Sequence, residues 1–340
     1  MFEQSVTYKP RNGYPFHITA KRYCSPKLGA GDADALTLIV LHGTGFHKET
    51  WEPTLERVFD LAYGGGTVKI REAWAIDCPN HGASAVLNES ILQQTAFRHN
   101  FTCEKFAIAV HHFLSAGPDE GARVDFRKRD LVGIAHSLGG VSITILQNLE
   151  PVIRFSSIIL VEPLLSPGGQ EPVYSLRNRL VRSAYERRDV WPSWMNALQS
   201  LKSNTRWHPR VQELFVKHAL RLHPGSSLDP PYDGFTLACT RYEEAAMYRD
   251  RDGATKPVED LNRVCCRMPV HIVFGDINDV LSREVHDAIT DPKSGRRFAS
   301  ITRIQRCGHL VPQHVPDKLG DVIFAALALN TDKRLSPSKL

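Results

Sequence analysis

Leu131-Val132-Gly133-Ile134-Ala135-His136-Ser137-Leu138-Gly139-Gly140 is an apolar run that breaks into small residues around one serine and resumes as the apolar stretch Val141 to Leu149. The run reads as a buried strand, the resumption as a helix, and the join as a small-x-Ser-x-Gly-Gly turn. Ala135, Gly139 and Gly140 lack the bulk that would prevent a tight turn. Ser137 is therefore lifted above the strand end, at a helix N-terminus whose amides favour negative charge. This pattern is that of a nucleophile elbow, with Ala135 where a glycine usually stands.

The elbow sits in an alternation of short Val/Ile/Leu-rich runs and longer amphipathic stretches. That alternation predicts an α/β fold, a mostly parallel central sheet flanked by helices. Strands are expected at Phe16 to Arg22, Leu36 to Leu41, Lys69 to Ile76, Asp130 to Ala135, Ser156 to Val161, Val270 to Phe274 and Ser300 to Gln305. From Leu164 to Val264 the alternation fails: helical patterns and Pro and Trp clusters replace buried strands. The expected organisation is a core of residues 1–163 and 265–330, a largely helical cap or lid at 164–264 between two late strands, and a flexible tail at 331–340. Within Leu176 to Arg221 ten basic residues face three acidic ones, more excess charge than the +5 of the whole chain. Arg177, Arg179 and Arg182 open this basic stretch and are its candidate contacts for an anionic substrate.

A hydroxyl is a poor nucleophile at neutral pH and needs a base within hydrogen-bond reach. Cys307-Gly308-His309-Leu310-Val311-Pro312 follows the last expected strand and precedes a final helix at Pro316 to Leu329, which makes His309 that base. Developing negative charge on an attacked carbonyl needs preorganised donors. The amide of Leu138 is the first. The loop His42-Gly43-Thr44-Gly45-Phe46 supplies the second, from Thr44 or, next, Gly45. The acid that orients His309 stays open between two strand ends. One carries Glu162-Pro163. The other carries Gly275-Asp276-Ile277-Asn278-Asp279, where Asn278 occupies the usual acid position and Asp279 would reach from one residue further. The order of preference is Glu162, Asp279, Asp276, because roles in a triad follow geometry and not chain position.

The charge balance, 42 Lys and Arg against 37 Asp and Glu, is too mild and dispersed for a nucleic-acid surface. No run approaches the roughly 20 apolar residues that span a bilayer, and Met1 to Tyr23 has no signal-peptide core, so a soluble intracellular protein is expected. Seven scattered cysteines show neither zinc-ligand spacing nor a compact disulfide framework, and the histidines outside the site lack ligand spacing. No metal and no cofactor are expected. A homodimer would be ordinary. The final Ser338-Lys339-Leu340 reads as a peroxisomal address recognised by an import receptor, which predicts the peroxisomal matrix.

With these residues in place, the chain resembles the α/β-hydrolase superfamily over most of its length. His42-Gly43-Thr44-Gly45-Phe46-His47-Lys48-Glu49 with Trp51-Glu52-Pro53, then Asp77-Cys78-Pro79-Asn80-His81-Gly82, look like a fungal branch that includes a yeast peroxisomal lipase and hydrolases of AK-toxin and mycophenolic-acid biosynthesis. The resemblance implies hydrolysis of esters or acyl-CoA thioesters by a Ser-His-acid triad, in a peroxisomal step of fungal secondary metabolism. In the mycophenolic branch the acid follows the earlier strand, which favours Glu162, although that branch has Asp there. Two other readings accompany the thioesterase: a lipase or carboxylesterase without coenzyme A selectivity, and a non-catalytic binding protein on the same fold.

Overall fold

Strands that are apolar at nearly every position have no face to give to solvent, so their sheet must be covered on both sides. The computed structural model describes residues 1–11, 13–25, 35–64, 68–228 and 230–335, and arranges them in that way. The chain forms β1 (Phe2–Tyr8), β2 (Ile18–Cys24), β3 (Leu36–Leu41), β4 (Ile70–Ile76), β5 (Asp130–His136), β6 (Phe155–Val161), β7 (Val190–Trp191), β8 (Leu220–Leu222), β9 (Phe235–Leu237), β10 (Val270–Gly275) and β11 (Ser300–Ile304). Eight of them make one sheet in the order β1-β2-β4-β3-β5-β6-β10-β11. β1 pairs antiparallel with β2 and β2 antiparallel with β4; every later pairing is parallel.

The principal helices are α1 (Glu52–Tyr63), α2 (Cys103–Ser115), α3 (Leu138–Leu146), α4 (Glu171–Glu186), α5 (Trp194–Asn204), α6 (Pro209–His218), α7 (Arg241–Arg249), α8 (Pro257–Arg267), α9 (Arg283–Thr290) and α10 (Pro316–Leu335). α1 and α10 pack on one face of the sheet, over Leu38, Val40, Ile134, Ile159 and Val273. α2, α3 and α8 cover the other, over Ile39, Leu41, Ile158, Leu160 and Ile272. Alternate residues of one strand thus feed two separate cores, as the period of two requires. The parallel strands end together at one edge, and the loops after β3, β5, β6, β10 and β11 meet there.

Four features differ from the sequence expectation. β1 was not among the expected strands: it is an edge strand whose first four residues are exposed, so it carries no buried apolar run. Residues between β6 and β10 hold, besides helices, a small antiparallel sheet in the order β7-β9-β8, whose strands are too short to show a periodicity. The boundary at Val264 runs through α8, which packs against α3 of the core layer. The last helix continues from Leu329 to Leu335, and Ser338, Lys339 and Leu340 lie outside the described residues.

Candidate active site

Ser137 follows the last residue of β5 and precedes the first of α3, with φ 55° and ψ −122°. This is a strained conformation for a residue with a side chain. It is held by neighbours on both sides: the Ser137 amide donates to the Val161 carbonyl at 3.0 Å, and Leu164 N–H donates to the Ser137 carbonyl at 3.3 Å. The tip of β6 is strained likewise, Glu162 having φ 48°. Two adjacent strand ends therefore present their side chains at the same edge.

Glu162 is buried, and its carboxylate accepts two hydrogen bonds and has a second imidazole beside it. Oε1 accepts from the Gly275 amide at 2.7 Å. Oε2 lies 3.1 Å from His309 Nδ1 and 3.4 Å from His286 Nε2. A carboxylate only accepts, so the proton of neutral His309 sits on Nδ1 and leaves the Nε2 lone pair free. That lone pair accepts from Ser137 Oγ at 2.8 Å. Burial alone would raise the Glu162 carboxyl, but the hydrogen bonds and charges of His286 and His309 outweigh it and draw it down to about 2. The carboxylate therefore stays ionised through the neutral range while in contact with the imidazole.

The other two carboxylates hold backbone. Asp279 Oδ1 accepts from the His309 amide at 2.8 Å, and a Cβ on Gly308 would fall inside the Asp279 carboxylate, so the loop is drawn tight over it. Asp276 Oδ1 accepts from the Cys307 amide at 3.1 Å. Asp279 thus fixes where His309 starts while Glu162 faces the ring. His136 closes the arrangement from beneath: its Nε2 lies 2.9 Å from the His309 carbonyl, which can only accept, so Nε2 carries the proton. Burial first, and His309 beside it, lower the His136 pKa to about 3 and keep that ring neutral.

The loop after β3 is pressed against the elbow. A Cβ on Gly139 would stand 2.4 Å from the His42 carbonyl oxygen, and one on Gly43 2.8 Å from His136 Nδ1 and 3.1 Å from Ser137 Cβ. Both glycines are required by this approach. The Gly45 amide donates to His81 Nε2 at 2.9 Å, whereas among the described residues the Thr44 amide makes no hydrogen bond, and the buried Thr44 Oγ1 is also unpartnered. The Leu138 N–H stands in the first turn of α3, where no preceding turn supplies a carbonyl. The two alternatives for the second donor are so distinguished: Gly45 is engaged and Thr44 is open.

Sequence reasoning quoted His42, His81 and Asp77 without giving them roles. His42 Nδ1 donates to the Gly43 carbonyl at 2.8 Å and Nε2 accepts from Cys78 N–H at 3.1 Å, and burial lowers its pKa to about 4. His81 holds Gly45. Asp77, fully buried, accepts from the Lys48 amide and Nζ at 2.8 and 2.7 Å. All three brace one loop. Phe46, at its end, packs on Trp207 and Phe215 of the segment between β6 and β10. His286 was missed as well: nothing local marks a histidine on a helix 124 positions from its partner.

Beside the elbow an apolar slot is lined by Leu138, Leu164, Val173, Leu176, Leu180 and Met247. Arg177 joins this lining, its guanidinium 5.4 Å from the Tyr174 ring. Arg179 donates to the Asp279 carbonyl at 3.2 Å. Arg182 is exposed and lies 3.9 Å from Glu186. A larger charged cleft, lined by residues including Glu89, Arg221 and Arg241, does not include the serine or the histidine. Among the described residues no group of three or more His, Cys, Asp or Glu is placed to hold a metal ion, and no helix is long and apolar enough to cross a membrane.

Comparison with known proteins agrees with the fold. The profile of the Alpha/beta hydrolase family matches residues 38–322. A type I acyl-CoA thioesterase, mpaH, of Penicillium roqueforti is 29% identical over 67% of this chain and 49% of its own; the Penicillium brevicompactum mpaH is 29% identical over 71% and 56%. An abhydrolase domain-containing protein, ACTT2, of Alternaria alternata is 30% identical over 36% of this chain and 45% of its own. The chain spans about half the length of the thioesterases it matches. Among solved structures, the peroxisomal α/β-hydrolase Lpx1 of Saccharomyces cerevisiae superposes with a TM-score of 0.69 at 18% identity, covering 96% of this chain and 89% of its own.

Proposed function

This chain belongs to the α/β-hydrolase family, and from that premise we propose that it is a serine hydrolase of an ester or acyl-CoA thioester, with Ser137, His309 and Glu162 as its triad. The carrying observation is the continuous contact from Ser137 Oγ through the His309 ring to Glu162, at 2.8 and 3.1 Å. His309 Nε2 takes the hydroxyl proton as Oγ bonds to the acyl carbon. The Leu138 and Thr44 amides meet the oxyanion. Collapse of the tetrahedral adduct breaks the bond to the leaving thiol or alcohol, which receives that proton from His309. Water, deprotonated by His309 in turn, then releases the acid and restores Ser137. Glu162 keeps its charge throughout and stabilises the imidazolium.

The slot beside Leu138, about 30 Å³ and lined by Asp250 and Arg251 as well as apolar residues, marks where an acyl group would enter rather than a formed pocket. Residues 164–256, the expected cap less α8, would shape it. The thioesterase relatives and the basic Leu176 to Arg221 stretch favour coenzyme A as the leaving group, with Arg177 nearest the slot. A lipase or carboxylesterase is the second reading, favoured by the exposure of Arg182 and the engagement of Arg179 with a carbonyl of the core. Ser338-Lys339-Leu340 would direct the enzyme to the peroxisomal matrix, and the resemblance to hydrolases of toxin and mycophenolic-acid biosynthesis supports a setting in secondary metabolism. The test is turnover of an acyl-CoA panel beside matched simple esters, with wild type and Ser137→Ala. A CoA preference whose KM rises steeply with salt supports phosphate contacts. Preference for simple esters with no salt effect supports the lipase. Full activity in Ser137→Ala refutes the mechanism, and stoichiometric binding without turnover would make the chain a binding protein.

A further inference from the structure

We propose that His286 is a positioning residue that holds the Glu162 carboxylate in register with His309. The inference rests on the triad reading above and adds a second imidazole to its acid. His286 lies on α9, outside every motif around the elbow, and is fully buried. Its ring stacks on Phe274 of β10, centroids 4.1 Å apart and planes 23° from parallel. Nε2 is buried without a hydrogen-bond partner among the described residues and lies 3.4 Å from Glu162 Oε2, the same oxygen that His309 Nδ1 meets at 3.1 Å.

The tautomer follows from the other nitrogen. Arg303 Nη1 lies 3.3 Å from His286 Nδ1, and a guanidinium only donates. Nδ1 must therefore carry the lone pair and Nε2 the hydrogen, which at rest has no well-aligned acceptor among the described residues and has the carboxylate as its neighbour at 3.4 Å. Arg303 is itself placed by its guanidinium carbon 4.9 Å over the Phe274 ring and by Asp287 at 3.6 Å from Nη2. The 3.4 Å contact is longer than a well-formed hydrogen bond, as contacts around a resting catalytic site commonly are before charge develops. Against the burial that would raise the Glu162 carboxyl, the His286 hydrogen bond heads the influences that lower it.

An apolar core residue would serve to fill this space. A histidine with an unpartnered N–H beside the acid, and its acceptor occupied by an arginine, does more. It removes one of the two ways in which the carboxylate could rotate away from His309, and it makes Oε2 a poorer base, so that the imidazolium keeps its proton for the leaving group.

The test compares wild type, His286→Leu, His286→Gln, Arg303→Met and Ser137→Ala by the rate of covalent labelling with a fluorophosphonate and by kcat and KM on a short p-nitrophenyl ester, with Tm measured for each. Leucine removes the donor, whereas glutamine returns an N–H at the same reach. We expect His286→Leu to lower kcat and the labelling rate about tenfold with KM within about twofold, and His286→Gln to recover to within about threefold of wild type. Arg303→Met keeps cover over Phe274 and frees the tautomer; a loss of about threefold is expected. Equal rates for His286→Leu and wild type would overturn the proposal, as would equal slowing by Leu and Gln at matched Tm. If His286→Leu does not fold, an unchanged rate in Arg303→Met, at a side chain 20% exposed, overturns it. Labelling of Ser137→Ala at the wild-type rate would instead remove the triad reading, and this inference with it.

Discussion

Replacing Glu162 by Gln leaves the shape of the site and removes its charge, and the structure sets how much that should cost. An amide retains one acceptor, which the Gly275 N–H at 2.7 Å can hold, so its NH2 then faces His309 Nδ1. Two donors cannot share that contact. His309 must turn its lone pair to Nδ1 and place its proton on Nε2, where it faces Ser137 Oγ and can no longer take a proton. The lost attraction between carboxylate and imidazolium, at 3.1 Å and an effective dielectric constant near 20, is about 5 kcal/mol. At about 1.4 kcal/mol per decade this is a fall of roughly 10³- to 10⁴-fold in kcat. Asp279→Asn is the matched control. Its carboxylate accepts from the His309 amide, and asparagine keeps an acceptor there, so about 1 kcal/mol of stability and no more than about fivefold in rate should go. Fluorophosphonate labelling and ester hydrolysis at pH 7.5, corrected for the folded fraction, compare the two. Collapse of Asp279→Asn with Glu162→Gln above a tenth of wild type would refute the assignment of the acid.

Gly139→Ala should lower stability by about 1–3 kcal/mol, because the new Cβ meets the His42 carbonyl oxygen at 2.4 Å and the Leu41 carbonyl at 3.0 Å, backbone atoms that cannot swing aside. It should also cost about 100-fold in rate by displacing the Thr44 amide; a wild-type Tm and rate would show that the loop is not pressed on the elbow. Acid sensitivity is a third expectation. His42, His136 and His218 have pKa values lowered to about 4, 3 and 4, by burial above all. The unfolded chain takes up these protons near pH 6.5 and the folded chain does not, so stability is complete above about 6.5 and falls as pH drops toward 3 to 4. Chemical denaturation between pH 7 and 4 should show this slope, and His136→Asn should flatten it; an equal slope in the variant would put the titration elsewhere.

The parts of this molecule that were legible in the sequence are those whose cause is local. β3 has the expected bounds, and β4, β5, β6 and β10 differ from theirs by one residue at an end, because a strand buried on both faces is a largely apolar run; β11, a partly exposed edge strand, also differs by one. The elbow was readable because a serine at φ 55° needs small residues around it, and Ala135, Gly139 and Gly140 are written beside it. β2 lies two residues later than expected, since its pairing with β4 and not its composition sets where it starts. β1 and the three short strands between β6 and β10 leave no such trace. Their residues are exposed, or too few to repeat a period.

The acid marks the boundary between the two kinds of information. Composition puts a carboxylate at the tip of β6 and others after β10, and either loop can reach a histidine. What separates them is how closely the two loops pack. A Cβ on Gly275 would lie 2.3 Å from the Cys307 carbonyl oxygen, and Gly308 is closed onto the Asp279 carboxylate, so the histidine loop sits down upon β10 and takes Asp279 for its own backbone. With that carboxylate committed to an amide, it is Glu162 at the tip of β6, a residue of positive φ, that meets the His309 ring. The motif Gly275-Asp276-Ile277-Asn278-Asp279 is thus one residue out of step with the usual acid position, and Glu162 occupies the place that the shift leaves free. On the proposed assignment, Asn278 can stand where an acid is ordinarily found because two neighbouring strand ends are close enough to exchange that one duty.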